Sequence, residues 1–337
     1  MRTVSKLTLP HFNHKPRPYT GPSYEEVKAL RDKYMPPGMY FHYYKQPLFI
    51  VEGKDQYLYD HKGNRYLDLI AGISTVSIGH AHQGITKLIA EQSDKLMHTT
   101  PIYLTEFQGK YSKALCDELG PEYDHVFLCN SGSEANDMAV LLARMFTGQH
   151  KFFSLRNGYH GLVGNSKSVT NVGTWNTNFN NTQEFEKLAW TSQYRGTLKT
   201  TELLLKDAEE AFQSNAIHGK IAGMIFEPIQ GVGGINPVPQ GYGPGIAALV
   251  KKYGGLVIAD EVQTGFGRVG EKFWGHRWAG FKPDIITMAK GMGNGFPMAG
   301  VVARKEIMEP YKAVFFNTFG GGHLQCLIGM EVLRVIR

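Results

Sequence analysis

TMAKGMGNGFPMAG, residues 287–300, is the most informative stretch of the 337-residue chain. An apolar run, DIITMA (284–289), leads directly into Lys290, and three glycines follow within the next five residues. A short apolar run bounded by glycine is typical of a buried strand. The amine of Lys290 is therefore expected at the end of such a strand, where burial lowers the pKa of an amine. A neutral amine is a nucleophile toward carbonyl groups, so this stretch predicts a reactive lysine.

Short apolar strands alternate with helical segments along most of the chain. The predicted strands are HVFLC (125–129), KFFSL (151–155), IAGMIFE (221–227), GLVIADEV (255–262), DIITMA (284–289) and GVVA (300–303). This alternation predicts an α/β fold, with a mostly parallel sheet covered by helices on both faces. Residues 49–70 instead read as a β-meander, and the Asn/Thr-rich region 156–200 as a long excursion. In parallel sheets ligands bind outside the carboxyl ends of the strands.

The composition excludes several classes of protein. The net charge of +6 is spread along the chain without a Lys/Arg run, so we expect no nucleic-acid partner. No apolar run reaches transmembrane length, so we expect no membrane span. The three cysteines show neither disulfide nor metal spacing, which fits a reducing compartment. His80 and His82 have no further ligands at useful spacing, so we expect structural histidines rather than a metal site.

The first 24 residues are rich in basic residues and contain no Asp or Glu. The basic residues are Arg2, Lys6, Lys15 and Arg17. This composition suggests an organelle transit segment. Prolines at positions 10, 16, 18 and 22 disfavour an amphipathic helix, so an extended arm lying on a neighbouring subunit is the alternative.

NSGSEAN (130–136), which follows HVFLC, predicts an anion site. The next residues have a helical apolar period, with Ser131 and Glu134 matching a capping box and Gly148 a natural stop. Free N–H groups at the start of a helix suit a phosphate, although an ordinary capped helix fits the same stretch equally well.

Asp260 and Glu261 close the strand GLVIA (255–259), where a buried carboxylate needs a cation or hydrogen bonds. FGRVG (266–270) is not a dinucleotide fingerprint, because no GxGxxG follows a strand there. A phosphate cradle, a carboxylate and an amine match the phosphate, ring nitrogen and aldehyde of pyridoxal 5′-phosphate (PLP). We therefore predict that Asp260 keeps the ring nitrogen protonated. Lys290 is predicted to hold the aldehyde as a Schiff base and later to move the proton.

Taken together, the motifs resemble those of the class III aminotransferases, which are fold-type I PLP enzymes. The matching stretches are NSGSEAN, GYHG (158–161), FEPIQGVGG (226–234), IADEVQTGFGRVG (258–270), MAKGMGNGFPMAG (288–300) and NTFGG (317–321). Further stretches are similar to the mitochondrial alanine–glyoxylate branch of that family. They are YYKQPL (43–48), YLDLIAGISTVSIGHAH (66–82), DKLMHTTPIY (94–103), TNVGTW (170–175) and KFWG (272–275).

The resemblance implies a set of cofactor-binding residues. They are Ser131, Gly132, Ser133, Tyr159, His160, Glu227, Asp260, Val262, Gln263, Lys290 and Thr318. The phosphate would bind at Gly132 and Ser133. Tyr159 would stack on the pyridine ring with His160 beside it, Val262 would pack on the other face, and Gln263 would hydrogen-bond the phenolic oxygen.

Two of these residues carry implications beyond cofactor binding. Thr318 would reach the phosphate of a neighbouring subunit, which implies a homodimer or higher oligomer with shared sites. Glu227 stands where the family has a glutamate near the substrate, and in some members that residue masks a carboxylate-binding arginine. A structural acid that caps a turn is the alternative for Glu227.

The resemblance also implies an organisation in four segments. They are an N-terminal arm (1–40), the first part of a small domain (41–75), the large PLP-binding domain (76–320) and the start of the remaining small α+β domain (321–337). Two motifs depart from the family: Gln83 replaces the proline of GH-x-HP, and GGGHLQC (320–326) replaces GGNP-x-x-C. The family continues well beyond the helix GMEVLRVI (329–336). We therefore expect a truncated chain with an exposed apolar stripe at Ile328, Val332 and Val335.

The activity implied by the resemblance is ping-pong transfer of an amino group. The donor would be alanine or a β-amino acid such as 3-aminoisobutyrate, and the acceptor glyoxylate or pyruvate. Ornithine and 4-aminobutyrate aminotransferases and an amino-alcohol-phosphate lyase share the same cofactor residues and remain alternatives. A truncated homologue that binds the cofactor without turnover also remains open.

Overall fold

A computed structural model describes residues 12–40, 44–175 and 183–337. These residues form two compact units. The first contains the described residues up to Ile70 with Gly79–His82, and the second contains Ala71–Ile78 with Gln83–Arg337. The predicted segment boundaries after residues 40, 75 and 320 remain predictions. Arg2 and Lys6 of the predicted transit segment, and residues 176–182 of the predicted excursion, lie outside the described residues.

The first unit contains a three-stranded antiparallel sheet. Helix α1 (Tyr24–Tyr34) precedes strands β1 (Ile50–Lys54), β2 (Tyr57–Asp60) and β3 (Arg65–Leu67). The strands pair in sequence order, which confirms the β-meander predicted for residues 49–70.

The second unit is built on a larger sheet with helices around it. Its strands are β4 (His125–Cys129), β5 (Phe152–Leu155), β6 (Phe185–Leu188), β7 (Gly223–Phe226), β8 (Ile229–Gln230), β9 (Asn236–Pro237), β10 (Leu256–Asp260), β11 (Ile285–Met288) and β12 (Ala299–Ala303). Its helices are α2 (Ala71–Ser74), α3 (Gln83–Lys95), α4 (Glu106–Leu119), α5 (Gly132–Thr147), α6 (Gly164–Val169), α7 (Thr201–Asn215), α8 (Tyr242–Lys252), α9 (Gly275–Trp278), α10 (Lys305–Met308) and α11 (His323–Ile336).

Among the described residues, seven of these strands form one sheet in the order β4-β12-β11-β10-β7-β5-β6. The strands are parallel except β12, which runs antiparallel to both of its neighbours. Strands β8 and β9 pair separately as an antiparallel ribbon. The predicted α/β fold with a mostly parallel sheet is therefore confirmed, and each predicted strand is present within a few residues.

Helices cover both faces of the sheet because successive strand residues point to opposite sides. Ile258 and Ile285 pack in the cluster that contains the apolar face of α5. Ile286, the residue after Ile285, packs on the other face, in the cluster formed with α4 and α11. Strands that are apolar on both faces give the continuous apolar runs seen in the sequence.

Strand β6 was missing from the sequence prediction. It lies at an edge of the sheet, within the segment predicted to be an excursion. Phe185 and Leu188 are buried, whereas Glu186 and Lys187 between them are not. An edge strand is partly solvated, so it tolerates charges that hide it from a search for apolar runs.

The expected exposed stripe on α11 was wrong for two of its three residues. Ile328 and Val332 are fully buried, in one cluster with Tyr111 and Leu115 of α4. Gly329, between them in sequence, faces the Tyr111 ring so closely that it leaves no room for a Cβ atom. Val335 alone of the three is exposed, at 38%. Helices already present in the chain therefore cover this side of α11.

We expect Ile328→Ala to lower the free energy of unfolding by about 3 kcal/mol, because it leaves a cavity in a packed core. Val335→Ala, on the same helix, should cost under about 1 kcal/mol because the side chain is partly exposed. Denaturant titration measures both. Equal losses in the two variants would show that α11 does not pack as described.

Candidate active site

The carboxyl ends of β4, β7, β10 and β11 lead into residues that line one cavity of about 130 Å³. The cavity is lined by Ser131, Gly132, Ser133, Asn136, Tyr159, His160, Gly161, Glu227, Asp260, Val262, Gln263, Ala289 and Lys290. The structure thus brings together every residue proposed for cofactor binding except Thr318. Thr318 is exposed and does not belong to this lining.

The start of α5 forms the side of the cavity that follows β4. Ser131 is the N-cap, and its Oγ accepts the Glu134 N–H at 3.3 Å. The Glu134 carboxylate accepts the N–H of Asn130 at 2.8 Å. In the predicted capping box it would accept the N–H of the N-cap residue, so this second bond is shifted by one residue. The N–H groups of Gly132 and Ser133 lie in the first turn, where a helix supplies no acceptor. They are available to an anion, and the helix dipole favours one there.

Asp260 ends β10 with its side chain buried and both of its oxygens hydrogen-bonded. One oxygen, Oδ2, accepts from Asn136 Nδ2 at 2.8 Å and from His160 Nδ1 at 2.7 Å. The other, Oδ1, accepts the N–H of Val262 at 3.0 Å. Because a carboxylate only accepts, we assign the proton of His160 to Nδ1. Three hydrogen bonds therefore compensate for the burial of this side chain.

Asn136 was missed as a site residue by sequence reasoning. It is the last residue of NSGSEAN and lies one turn into α5, where it is 1% exposed. The available signal was an asparagine on the apolar face of a helix, which needs a buried polar partner. Spacing alone did not show that this partner would be Asp260.

Glu227 follows β7 and is buried. Its two oxygens accept the N–H groups of Tyr159 and Gly231, each at 2.9 Å. Burial raises the pKa of Glu227 to about 7, and the charge of Asp260 acts in the same direction. The geometry fits the proposed capping of a turn, and the same side chain lines the cavity.

Lys290 follows β11 in the left-handed region, with φ of 45°. The side chain is half-buried, and its ammonium has no hydrogen bond or ion pair with any residue that the structure describes. Burial lowers the pKa of Lys290, while the carboxylates of Asp260 and Glu227 oppose the shift. A strained residue bearing an unpaired amine in a cavity is typical of a functional site.

The glycines after Lys290 allow a tight path away from the strand. A Cβ atom on Gly293 would clash with the backbone oxygen of Phe296, so only glycine fits at that position. Gly295 has φ of 99°, which side-chain-bearing residues rarely adopt. Backbone freedom is therefore needed to turn the chain directly behind the amine.

The aromatic wall of the cavity is Tyr159, whose ring meets that of Trp175 edge to face at 5.1 Å. Burial raises the pKa of the Tyr159 phenol. An aromatic ring, unsatisfied helix N–H groups, a hydrogen-bonded carboxylate and an unpaired amine in one cavity fit the ring, phosphate, ring nitrogen and aldehyde of PLP.

Comparison with known proteins agrees with this chemistry. The family model described as “Aminotransferase class-III” matches residues 40–337. The chain is a class III aminotransferase. Membership of this family, predicted from the motifs, is confirmed, and the enzymes of the family depend on PLP.

The relatives of this class III aminotransferase include proteins of different named specificity. Alanine–glyoxylate aminotransferase 2 homolog 2, mitochondrial, of Arabidopsis thaliana is 42% identical over 330 residues, which cover 97% of this chain and 68% of that protein. An acetylornithine aminotransferase of Methanosarcina acetivorans is 36% identical over 295 residues, covering 88% and 70%. The solved structure of an amine transaminase from an uncultivated Pseudomonas species, in its PLP-bound form, matches with a TM-score of 0.81. The two are 27% identical, and the match covers 90% of this chain and 74% of that chain.

No helix among the described residues combines the length and apolar character that a membrane span requires.

From the raised pKa of Glu227 we expect the free energy of unfolding to depend on pH. From its ordinary value of 4.5 to about 7, the unfolded chain releases the proton while the folded cofactor-free protein retains it. The free energy of unfolding should therefore fall as the pH rises through this window, by roughly 3 kcal/mol. Denaturant titrations at a series of pH values measure this slope.

Glu227→Gln should remove this contribution to the slope, because the amide does not titrate. Glu271→Gln, at an exposed position, is the matched control and should keep it. A wild-type slope that survives in Glu227→Gln would show that another group is responsible.

Proposed function

We propose that the protein binds PLP in this cavity and transfers an amino group from alanine or a β-amino acid, such as 3-aminoisobutyrate, to glyoxylate or pyruvate. The observation that carries the proposal is the meeting of an unpaired amine, a buried carboxylate and a helix N-terminus at one edge of the sheet. The choice of substrates is supported by the similarity to the alanine–glyoxylate relative.

Bound PLP supplies an electrophilic carbon and an electron-withdrawing ring. The N–H groups of Gly132 and Ser133 would bind the phosphate, with Ser131 beside them. Asp260 would hold a proton at the ring nitrogen and thereby keep the ring electron-withdrawing. Tyr159 and Val262 would orient the ring.

His160 and Gln263 complete the proposed contacts. His160 donates to Asp260 and fixes the direction of its carboxylate. Gln263 would donate to the phenolic oxygen of the cofactor. Together these residues would fix the orientation of the bound cofactor relative to Lys290.

Lys290 is the proposed nucleophile and proton carrier. Burial lowers its pKa and so increases the neutral fraction that can attack a carbonyl carbon. The same Nζ would then accept the proton from the α-carbon of the donor and hold it for the later return that the transfer requires. Its freedom from ion pairs among the described residues leaves it able to do both.

We propose that the charge of Glu227 controls the binding of the substrate carboxylate. With a pKa of about 7 it changes charge near neutral pH. Its neutral form would not repel the carboxylate of an amino or oxo acid, whereas its ionised form would.

The proposed active form is a homodimer or higher homo-oligomer. Two segments, 96–104 and 314–319, lie side by side, since the rings of His98 and Phe319 are 4.9 Å apart. They expose large apolar residues: Met97, Ile102, Tyr103, Leu104, Val314, Phe315, Phe316 and Phe319. Exposed apolar patches of this kind mark protein–protein interfaces. Thr318 lies within the second segment, where it could reach the phosphate site of a partner subunit.

We further propose that the protein acts in mitochondria. The basic, acid-free start of the sequence and the mitochondrial designation of the Arabidopsis relative support this location.

The donor preference is tested with the PLP-loaded protein. We expect L-alanine or 3-aminoisobutyrate to convert the visible absorbance band of the bound cofactor, and glyoxylate to restore it. N-Acetylornithine should leave the band unchanged. Conversion by N-acetylornithine and not by alanine would instead favour the specificity for which the Methanosarcina acetivorans relative is named. A band that responds to no donor would favour binding without turnover.

Lys290→Ala should slow the alanine reaction by at least about a hundredfold, because both the nucleophile and the proton carrier are lost. Lys251→Ala, which removes an exposed lysine outside the cavity, is the matched control and should react like the wild type. The rate of the absorbance change measures both. Full activity without Lys290 would remove it from the chemistry.

Sharing of sites is tested by mixing two inactive variants. Lys290→Ala lacks the amine, and Thr318→Glu places a charge that repels the phosphate of the partner's site. Random mixing should restore about a quarter of the wild-type activity, because half of the dimers are mixed and each has one intact site. An inactive mixture whose subunits have exchanged would show that Thr318 does not complete a partner's site.

A further inference from the structure

Asp260 and Thr287 are direct partners in the parallel pairing of β10 with β11. Side chains of paired residues on neighbouring strands point to the same face of a sheet. Both are buried beneath α5, and Asn136 reaches down from that helix to contact both. The three side chains form a closed polar group in an apolar layer.

The hydrogen bonds of this group fix the orientation of the Asn136 amide. Nδ2 lies 2.8 Å from the carbonyl oxygen of His160 and 2.8 Å from Asp260 Oδ2. The carbonyl oxygen only accepts, so the NH₂ end of the amide must face these two atoms. Oδ1 then faces Thr287, whose hydroxyl donates to it at 2.6 Å.

We propose that Asn136, oriented by Thr287, is a positioning residue that holds the carboxylate of Asp260 in place and aimed at the ring nitrogen of the cofactor. The inference rests on the proposed function, since it assumes that PLP binds beside Asp260. The Thr287 hydroxyl satisfies the oxygen of the amide, and its NH₂ group is then committed to Asp260 and to the backbone of His160. The same contact ties the carboxylate to the loop that carries Tyr159 and His160.

A purely structural role is the competing explanation. The same bonds join α5 to the sheet, and a buried polar group left without a partner destabilises a fold whatever it binds. The two roles differ in one respect: only positioning of Asp260 acts through the ring nitrogen. Loss of a structural bond would weaken every ligand of the cavity alike.

The test compares binding of PLP with binding of 1-deaza-PLP, the analogue whose ring nitrogen is replaced by carbon. Equilibrium dissociation constants are measured for the wild type and for Asn136→Ala, Thr287→Val and Thr287→Ser. Thr191→Val, which also removes a fully buried hydroxyl but from outside the cavity, is the control.

We expect the wild type to bind PLP more tightly than the analogue. Asn136→Ala should reduce this preference roughly tenfold, as expected for the loss of one hydrogen bond to a charged group. Thr287→Val should reduce it less, because the amide remains but is no longer held, and Thr287→Ser should restore the wild-type ratio. The control should keep that ratio.

Equal weakening of both ligands in Asn136→Ala and Thr287→Val would overturn the positioning role and leave a structural one. If Asn136→Ala does not fold, Thr287→Val and Thr287→Ser alone decide between the two. A wild-type protein that binds neither ligand would overturn the proposed function itself, which is a different result from an unchanged ratio.

Discussion

The parallel pairing of β10 with β11, with Asp260 opposite Thr287, is the constraint on which the whole site depends. Because the two strands run in the same direction, their carboxyl ends open at one edge of the sheet. Asp260 and Lys290 both lie at or just after the carboxyl ends of these strands, and α5, which follows β4, lies above them. A slip of one residue in this pairing would turn the carboxylate to the opposite face of the sheet, away from α5.

The ionisable groups of the site differ in the number of hydrogen-bond partners that the fold gives them. The carboxylates of Glu227 and Asp260 accept two and three hydrogen bonds, which compensates for their burial. The amine of Lys290 has no such partner among the described residues, although two carboxylates are near enough to influence its pKa. An uncompensated amine in a packed region costs stability, and this cost is understandable if the amine must react. The positive φ of Lys290 adds backbone strain at the same point.

Local patterns were sufficient to predict the strands, the cap of α5 and the positions of Asp260 and Lys290, because apolar runs and helix signals act over a few residues. Most of the other cavity residues, Tyr159 and Gln263 among them, were implied only by the resemblance to the family. Features that depend on distant partners were not predictable in this way. Asn136 became a site residue only because α5 lies over Asp260, which is 124 residues away in sequence. The apolar stripe of α11 looked unpartnered because its partners on α4 lie more than 200 residues earlier. Strand β6 was not predicted because a strand at the edge of a sheet does not have to be apolar throughout.

Reduction of the PLP-loaded protein with borohydride, followed by peptide mapping by mass spectrometry, tests the assignment of the reactive amine most directly. Borohydride fixes the cofactor to the lysine that holds it. We expect a single major adduct, on the peptide that contains Lys290, and its disappearance in Lys290→Ala. A major adduct on any other lysine, or none in a protein that binds PLP, would show that the amine at the end of β11 is not the one that holds the cofactor.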